Sequence, residues 1–178
     1  MKSKTVVAVA TLLAASFAMV STAVAQISTV TVRVDGLACP FCAYSLEKHI
    51  KAIDGTKDPV INIEQGIVTL TPVGDKTVDF DAVREAVKQA GFTPREIVVE
   101  GVGRMETIGG RATLIAEDGR ELFVLAANDV LAGLEEGRRE VVTFRGTVAP
   151  RRKDDDRSTL RTLTLLSATP AAKGEVKK

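Results

Sequence analysis

Cys39 and Cys42 are the only cysteines of the 178-residue chain, and they stand two residues apart in Gly36-Leu37-Ala38-Cys39-Pro40-Phe41-Cys42. Three chemistries suit such a pair: a clamp on a soft metal ion, thiol–disulfide exchange, or a small structural staple. The first two start from the thiolate. A helix start exposes free N–H groups and the positive end of the helix dipole. In such settings a thiol falls from its ordinary value of about 8.5 to roughly 3.5–7.5. One ionised sulfur is a nucleophile; two together hold ions that prefer sulfur, such as Cu(I), zinc or iron–sulfur clusters. The remaining donors narrow that choice. Structural zinc takes four protein ligands and a cluster commonly takes four cysteines, whereas this chain has two cysteines and a single histidine, His49. His49 lies seven residues beyond Cys42, about 10 Å along a helix at ~1.5 Å per residue, too far to close the same site. Asp35 is the nearest acid. Two sulfurs alone suit an ion content with low coordination, Cu(I) or Hg(II), and leave room for an incoming thiol.

The flanking sequence predicts how this pair is held. Val30, Val32 and Val34 alternate on one face of a strand. After the loop, Ala43, Leu46, Ile50 and Ile53 recur at helical spacing. Asp54–Gly55 ends that helix, and two strands follow, joined at Gln65–Gly66. Asp79 caps a second helix with Phe80, Val83, Val87 and Ala90 inward and Gly91 as its stop, and "TPREIVVEG" supplies a fourth strand. Strand, helix, strand, strand, helix, strand is the order of a ferredoxin-like βαββαβ domain, α+β in class.

Glycines cluster in "EGVGRMETIGG", which reads as a break between two units near Gly103. The charge changes there too: Gln26–Gly103 has 8 basic and 11 acidic residues, Arg104–Lys178 has 14 and 12. The second unit, 104–169, reads as mostly strand. It has a turn at Asp118–Gly119, a short helix capped by Asn128 with Val130, Leu131 and Leu134 inward and an end at Gly137, then two more strands. With a first strand near Met105, five strands and a helix between the third and fourth predict a small OB-like barrel. "RRKDDDR" reads as a solvated loop tip and 170–178 as a disordered tail. Arg138, Arg139, Arg145, Arg151 and Arg152 give this half a basic character, which reads first as a solvated face and second as a surface for an acidic partner.

The N-terminus carries Lys2 and Lys4, an apolar run from Val6 to Val20, and small residues before Ala25. That is the plan of a secretory signal peptide over 1–25, and it predicts export to a bacterial periplasm. A formal charge of +1, no Trp and one Tyr give no case for nucleic acid. With one histidine and no phosphate loop, the sequence supports no enzyme.

With its loop and element order together, the segment from about Val30 to Val99 resembles the heavy-metal-associated domain family. That family includes copper chaperones, modules of copper-exporting ATPases and periplasmic mercury-binding proteins. The resemblance implies Cys39 and Cys42 as ligands of one thiophilic ion, Cu(I) or Hg(II). It implies a membrane metal transporter or another metal-carrying protein as partner. Leu37 stands where the family usually has Met, an apolar exchange in a core position. Phe92 takes the place near the last loop where some members carry Lys. Cys-Pro-Phe-Cys is also close to the Cys-Pro-Tyr-Cys loop of glutaredoxins, so a thiol–disulfide redox protein is the alternative expectation.

Overall fold

The alternation in β1 (Gln26–Asp35) buries Ile27, Val30, Val32 and Val34 on one face and leaves most of its other residues exposed or half-exposed. In the computed structural model, residues 26–73, 76–116, 119–134, 140–152, 154–156 and 159–171 are described. The leader expected over 1–25, the turn residue Asp118, the helix end at Gly137, Arg138, Arg139 and residues 172–178 lie outside them. Helix α1 (Pro40–Lys51) follows β1 and lays Ala43, Leu46 and Ile50 against the sheet. Strands β2 (Thr56–Asn62) and β3 (Ile67–Pro72) form the expected hairpin, and α2 (Phe80–Gln89) buries Phe80, Val83, Ala86 and Val87. Asp79 caps α2 by accepting from the N–H groups of Asp81 and Ala82, at 2.9 and 3.3 Å. Strands β2, β3, β1 and β4 (Thr93–Ile108) lie in that order, all antiparallel. This is the split βαβ arrangement that the element order predicts.

The remaining elements are β5 (Arg111–Ala116), β6 (Glu121–Leu125), α3 (Asp129–Ala132), β7 (Glu140–Val148) and β8 (Arg161–Pro170). β5 pairs with the C-terminal part of β4, β6 with β5, and β8 runs parallel to β6. β7 then pairs with β8 and, along its other edge, with Ile97–Met105 of β4. Five strands thus close into a ring in the order β4-β5-β6-β8-β7. The edge of β4 that a lone four-stranded sheet would leave open is taken by β7, which removes a template for unwanted pairing.

Three local expectations change. The break near Gly103 is not a linker: β4 runs sixteen residues without interruption, through Gly101 and Gly103. Those glycines answer a packing demand. A Cβ on Gly101 would lie 2.3 Å from the Gln26 carbonyl oxygen, and one on Gly103 would lie 3.0 Å from Leu114 Cδ1. The turn itself uses Gly109 and Gly110, both at positive φ. Helix α3 is only four residues long, and its C-cap is Gly133. Pro170, expected in the tail, instead closes β8 opposite Val142.

The buried apolar residues form one continuous cluster across both halves. Phe80 of α2 and Phe123 of β6 meet at 6.2 Å between ring centroids. The Arg161 guanidinium of β8 sits 5.3 Å from the Phe80 ring centroid. It donates to both carboxylate oxygens of Asp81, at 3.1 and 2.8 Å. Its side chain is only 8% exposed, so this pair is largely shielded on the arginine side. Arg84 adds two donations, to the carbonyls of Arg95 (2.8 Å) and Val148 (3.0 Å). One face of α2 is therefore fixed to β4, β7 and β8 by directional bonds as well as by apolar burial. The Arg161 hydrogen bonds hold the Asp81 carboxyl below the usual carboxylate range, against the desolvation that opposes them.

Candidate metal centre

The cysteine loop begins where β1 ends. Gly36 turns the chain at φ +89°, a conformation that strains L side chains. Leu37 then drops into the core, 6% exposed, and anchors the loop from beneath. That burial supports the reading of Leu37 as a core filler. Cys39 occupies the N-cap of α1 with extended backbone (φ −138°, ψ 145°), and Pro40 takes the first helical turn, where a missing N–H costs nothing. The Cys39 sulfur does the work of a capping oxygen: it accepts from the Cys42 N–H at 3.2 Å. The Cys39 carbonyl starts the helix ladder by accepting from Ala43 N–H at 3.1 Å.

The two cysteines are brought together as the spacing predicts. Their Cα atoms are 5.3 Å apart, and the sulfurs are in disulfide contact with each other. Both residues are half-buried. The first turn of α1 contains no acidic residue, and Lys48, His49 and Lys51 sit in the last turn. The sulfurs therefore face the positive end of the helix dipole with no acidic residue in the first turn. Phe41 and Tyr44 stand out beside them, 91% and 72% exposed. Phe92 lies near the turn that starts the loop: a Cβ added at Gly36 would stand 3.7 Å from Phe92 Cδ1.

The other donors weighed from sequence are placed elsewhere. Asp35 is held by Arg95, whose Nε donates to Oδ2 at 2.6 Å. His49 lines the cleft between α1 and α2 with Asp54, Lys76, Asp79 and Glu85. Among the described residues, no group of three or more His, Cys, Asp or Glu side chains is arranged to hold an ion. Arg95 is the member of this neighbourhood that sequence reasoning missed. It lies 60 positions from its partner Asp35, and no local pattern announces the pairing. Among the described residues, the candidate donors gathered at this loop are the two sulfurs. That pair fits a soft, low-coordinate ion and does not fit structural zinc.

Fold and site together define a βαββαβ module that presents a paired-thiol loop at a helix start. Residues 31–93 match the family model of the heavy-metal-associated domain, a span that includes both cysteines and both long helices. Over 71 residues the chain is 30% identical to "Copper-transporting ATPase 2" of Rhizobium meliloti (strain 1021); the alignment covers 40% of this chain and 8% of that protein. The chain thus spans under a tenth of that relative's length. Among solved structures, the "CopZ metallochaperone" is 25% identical, with 38% of this chain and all of that one covered, at a TM-score of 0.36. The N-terminal domain of PacS from Synechocystis PCC6803 is 22% identical, with 38% and 92% covered, at a TM-score of 0.33.

Proposed function

We propose that this chain is a periplasmic protein that binds one thiophilic ion between Cys39 and Cys42 and passes it on by ligand exchange, with Cu(I) the first candidate and Hg(II) the second. The observation that carries the reading is the convergence of two sulfurs on an acid-free helix start within a heavy-metal-associated segment. The reduced pair is the loading form. Each thiol gives up its proton and donates a sulfur lone pair to the ion. An ion held by two sulfurs keeps an open side, where a partner's thiolate can bond before Cys39 or Cys42 lets go. A membrane metal transporter or another metal-carrying protein supplies that partner. Export rests on the charged, apolar and small-residue order of 1–25. Among the described residues no helix is long and apolar enough to cross a membrane.

We assign 26–103 to the metal-binding unit and 104–169 to an OB-like barrel that shares β4 with it. The closed ring, the parallel pairing of its third and fifth strands and the helix between its third and fourth support that assignment. No reaction is assigned to either unit. The test is a titration of reduced protein with Cu(I) against a competing chelator. One ion per chain is expected, and it is lost in Cys39→Ser and in Cys42→Ser. Equal uptake by the variants ends the reading.

The disulfide contact favours a second reading, a thiol–disulfide carrier. Against it stands the sheet: β1, the strand before the cysteines, is antiparallel to both of its neighbours, whereas a thioredoxin-like unit sets a βαβ crossover beside its CxxC. Failure of the reduced protein to reduce a standard disulfide substrate removes this alternative.

A further inference from the structure

The five-stranded ring is unevenly closed. β6 and β8 pair over three positions only, Phe123–Leu125 against Arg161–Leu163. Residues 149–152, 155, 159 and 160, between β7 and β8, line that side. There lies a concavity of about 510 Å³ whose wall carries Arg111, Arg151, Arg152 and Arg161, with apolar surface from Val124 and Leu160 between them.

The four guanidinium groups differ in what already engages them. Arg161 is bound at the rear to Asp81. Arg151 braces its own loop, donating from Nη1 to the carbonyls of Asp156 (2.5 Å) and Thr159 (3.2 Å). A further turn stiffens the loop: Arg152 N–H donates to Asp155 Oδ2 at 3.0 Å, and Asp155 N–H returns to the Arg152 carbonyl at 3.1 Å. The side chains of Arg111 and Arg152 have no hydrogen-bond or ion-pair partner among the described residues. Asp81 and Asp79 behind the wall pair with Arg161, Asp81 also meets Arg151 Nε at 3.1 Å, and Asp155 stands in the wall; Arg111 and Arg152 are the two guanidinium groups of the wall without an ion pair among the described residues. Leu160 is 44% exposed in the same wall, although large apolar side chains are otherwise mostly buried here.

We propose that this concavity docks an extended acidic segment of a partner protein. Aspartate or glutamate carboxylates meet Arg111 and Arg152 as paired N–H···O contacts, and an apolar side chain covers Val124 and Leu160. A single small carboxylate would satisfy one guanidinium and leave the apolar surface wet, whereas a chain that alternates acidic and apolar residues meets both. The turn between Arg152 and Asp155 fixes the backbone that carries Arg152, which lowers the ordering cost of docking. The site shares no residue with the cysteine loop, so it stands or falls independently of the metal reading.

Fluorescence anisotropy with the full chain and a labelled synthetic peptide of alternating Glu and Leu tests it. The full chain is expected to bind this peptide in preference to its Gln–Leu counterpart. The double variant Arg111→Gln/Arg152→Gln is expected to weaken binding by about tenfold or more and to flatten its salt dependence. Lys88→Gln removes the same kind of charge from α2 and is expected to leave affinity within about twofold. Cys39→Ser is expected to leave it unchanged. Equal binding of the neutral peptide, or equal weakening by Lys88→Gln, overturns the proposal. So does binding of succinate as tight as that of the peptide, since the pocket would then be one for small acids.

Discussion

The cysteine loop and the α2 seam place charge under opposite rules. At the loop, the sulfurs are half-exposed, one backbone N–H reaches Cys39 at 3.2 Å, and the groups around them are protruding rings. At the seam, Asp81 receives two hydrogen bonds from Arg161, sees Arg151 Nε at 3.1 Å, and closes a cluster capped by Phe80. A buried ion pair whose lone pairs and protons are satisfied is costly to open, because either partner left alone keeps its desolvation penalty. A transfer site works only if its charge can change partners. The chain keeps its paired charge cluster at the junction of the halves, where Arg84 Nε and Arg151 Nε are, among the described residues, the buried donors without a hydrogen bond, and leaves its sulfurs at the more open loop.

Substitutions can break this contrast, and the largest effect is expected at the seam. Phe80→Ala removes a ring that touches both halves and should cost about 3–5 kcal/mol, read from urea unfolding of the reduced protein. Asp81→Asn leaves the shielded Arg161 charge without its bidentate partner. Because Asp81 is itself 42% exposed and Asp79 stays 3.7 Å from Arg161, the cost should fall below that of a fully buried pair, at about 1–3 kcal/mol. The same pair sets a pH response. The folded-state value of Asp81 is depressed, so its stabilisation is complete above the unfolded value of about 3.9 and is lost as pH falls through the folded value. Acid should therefore destabilise the parent chain more steeply than Asp81→Asn between roughly pH 5 and pH 2. Parallel acid-unfolding curves for the two would count against the seam as described.

Gly101→Ala sharpens the comparison from the backbone side. Its Cβ would collide with Gln26 main-chain atoms at the start of β1, and a loss of about 1–3 kcal/mol is expected. Faster amide exchange at the N-terminal end of β1 should accompany it. The smallest stability effect belongs to the loop. In reduced protein, Cys39→Ser should change unfolding free energy by under about 0.5 kcal/mol while ending stoichiometric Cu(I) uptake. A loop variant that unfolds the chain, or a seam variant that abolishes ion binding in still-folded protein, would show the two regions to be coupled.

Much of the first half was legible because its signals are local. Alternating valines make β1, helical spacing makes α1 and α2, Asp79 caps where a cap residue is expected, and two residues between cysteines at a helix start bring their sulfurs together. Gly101 and Gly103 misled for a physical reason: a glycine required by close backbone approach looks, in one dimension, like a glycine that breaks a strand. Legibility also failed for Arg95 and Arg161, whose partners lie far along the chain, and for Arg111, which the fold alone brings into one wall with Arg151 and Arg152.

The sequence by itself determined the order of elements, their inward faces and the meeting of Cys39 with Cys42, because each depends on neighbours within a turn or a strand. Only the tertiary structure decided that β4 serves both halves, that β7 covers its edge, and that Arg161 reaches Asp81 across 80 positions. Contacts at such separation leave no periodicity behind. They are selected when burial brings distant surfaces together and only certain charges can be satisfied there.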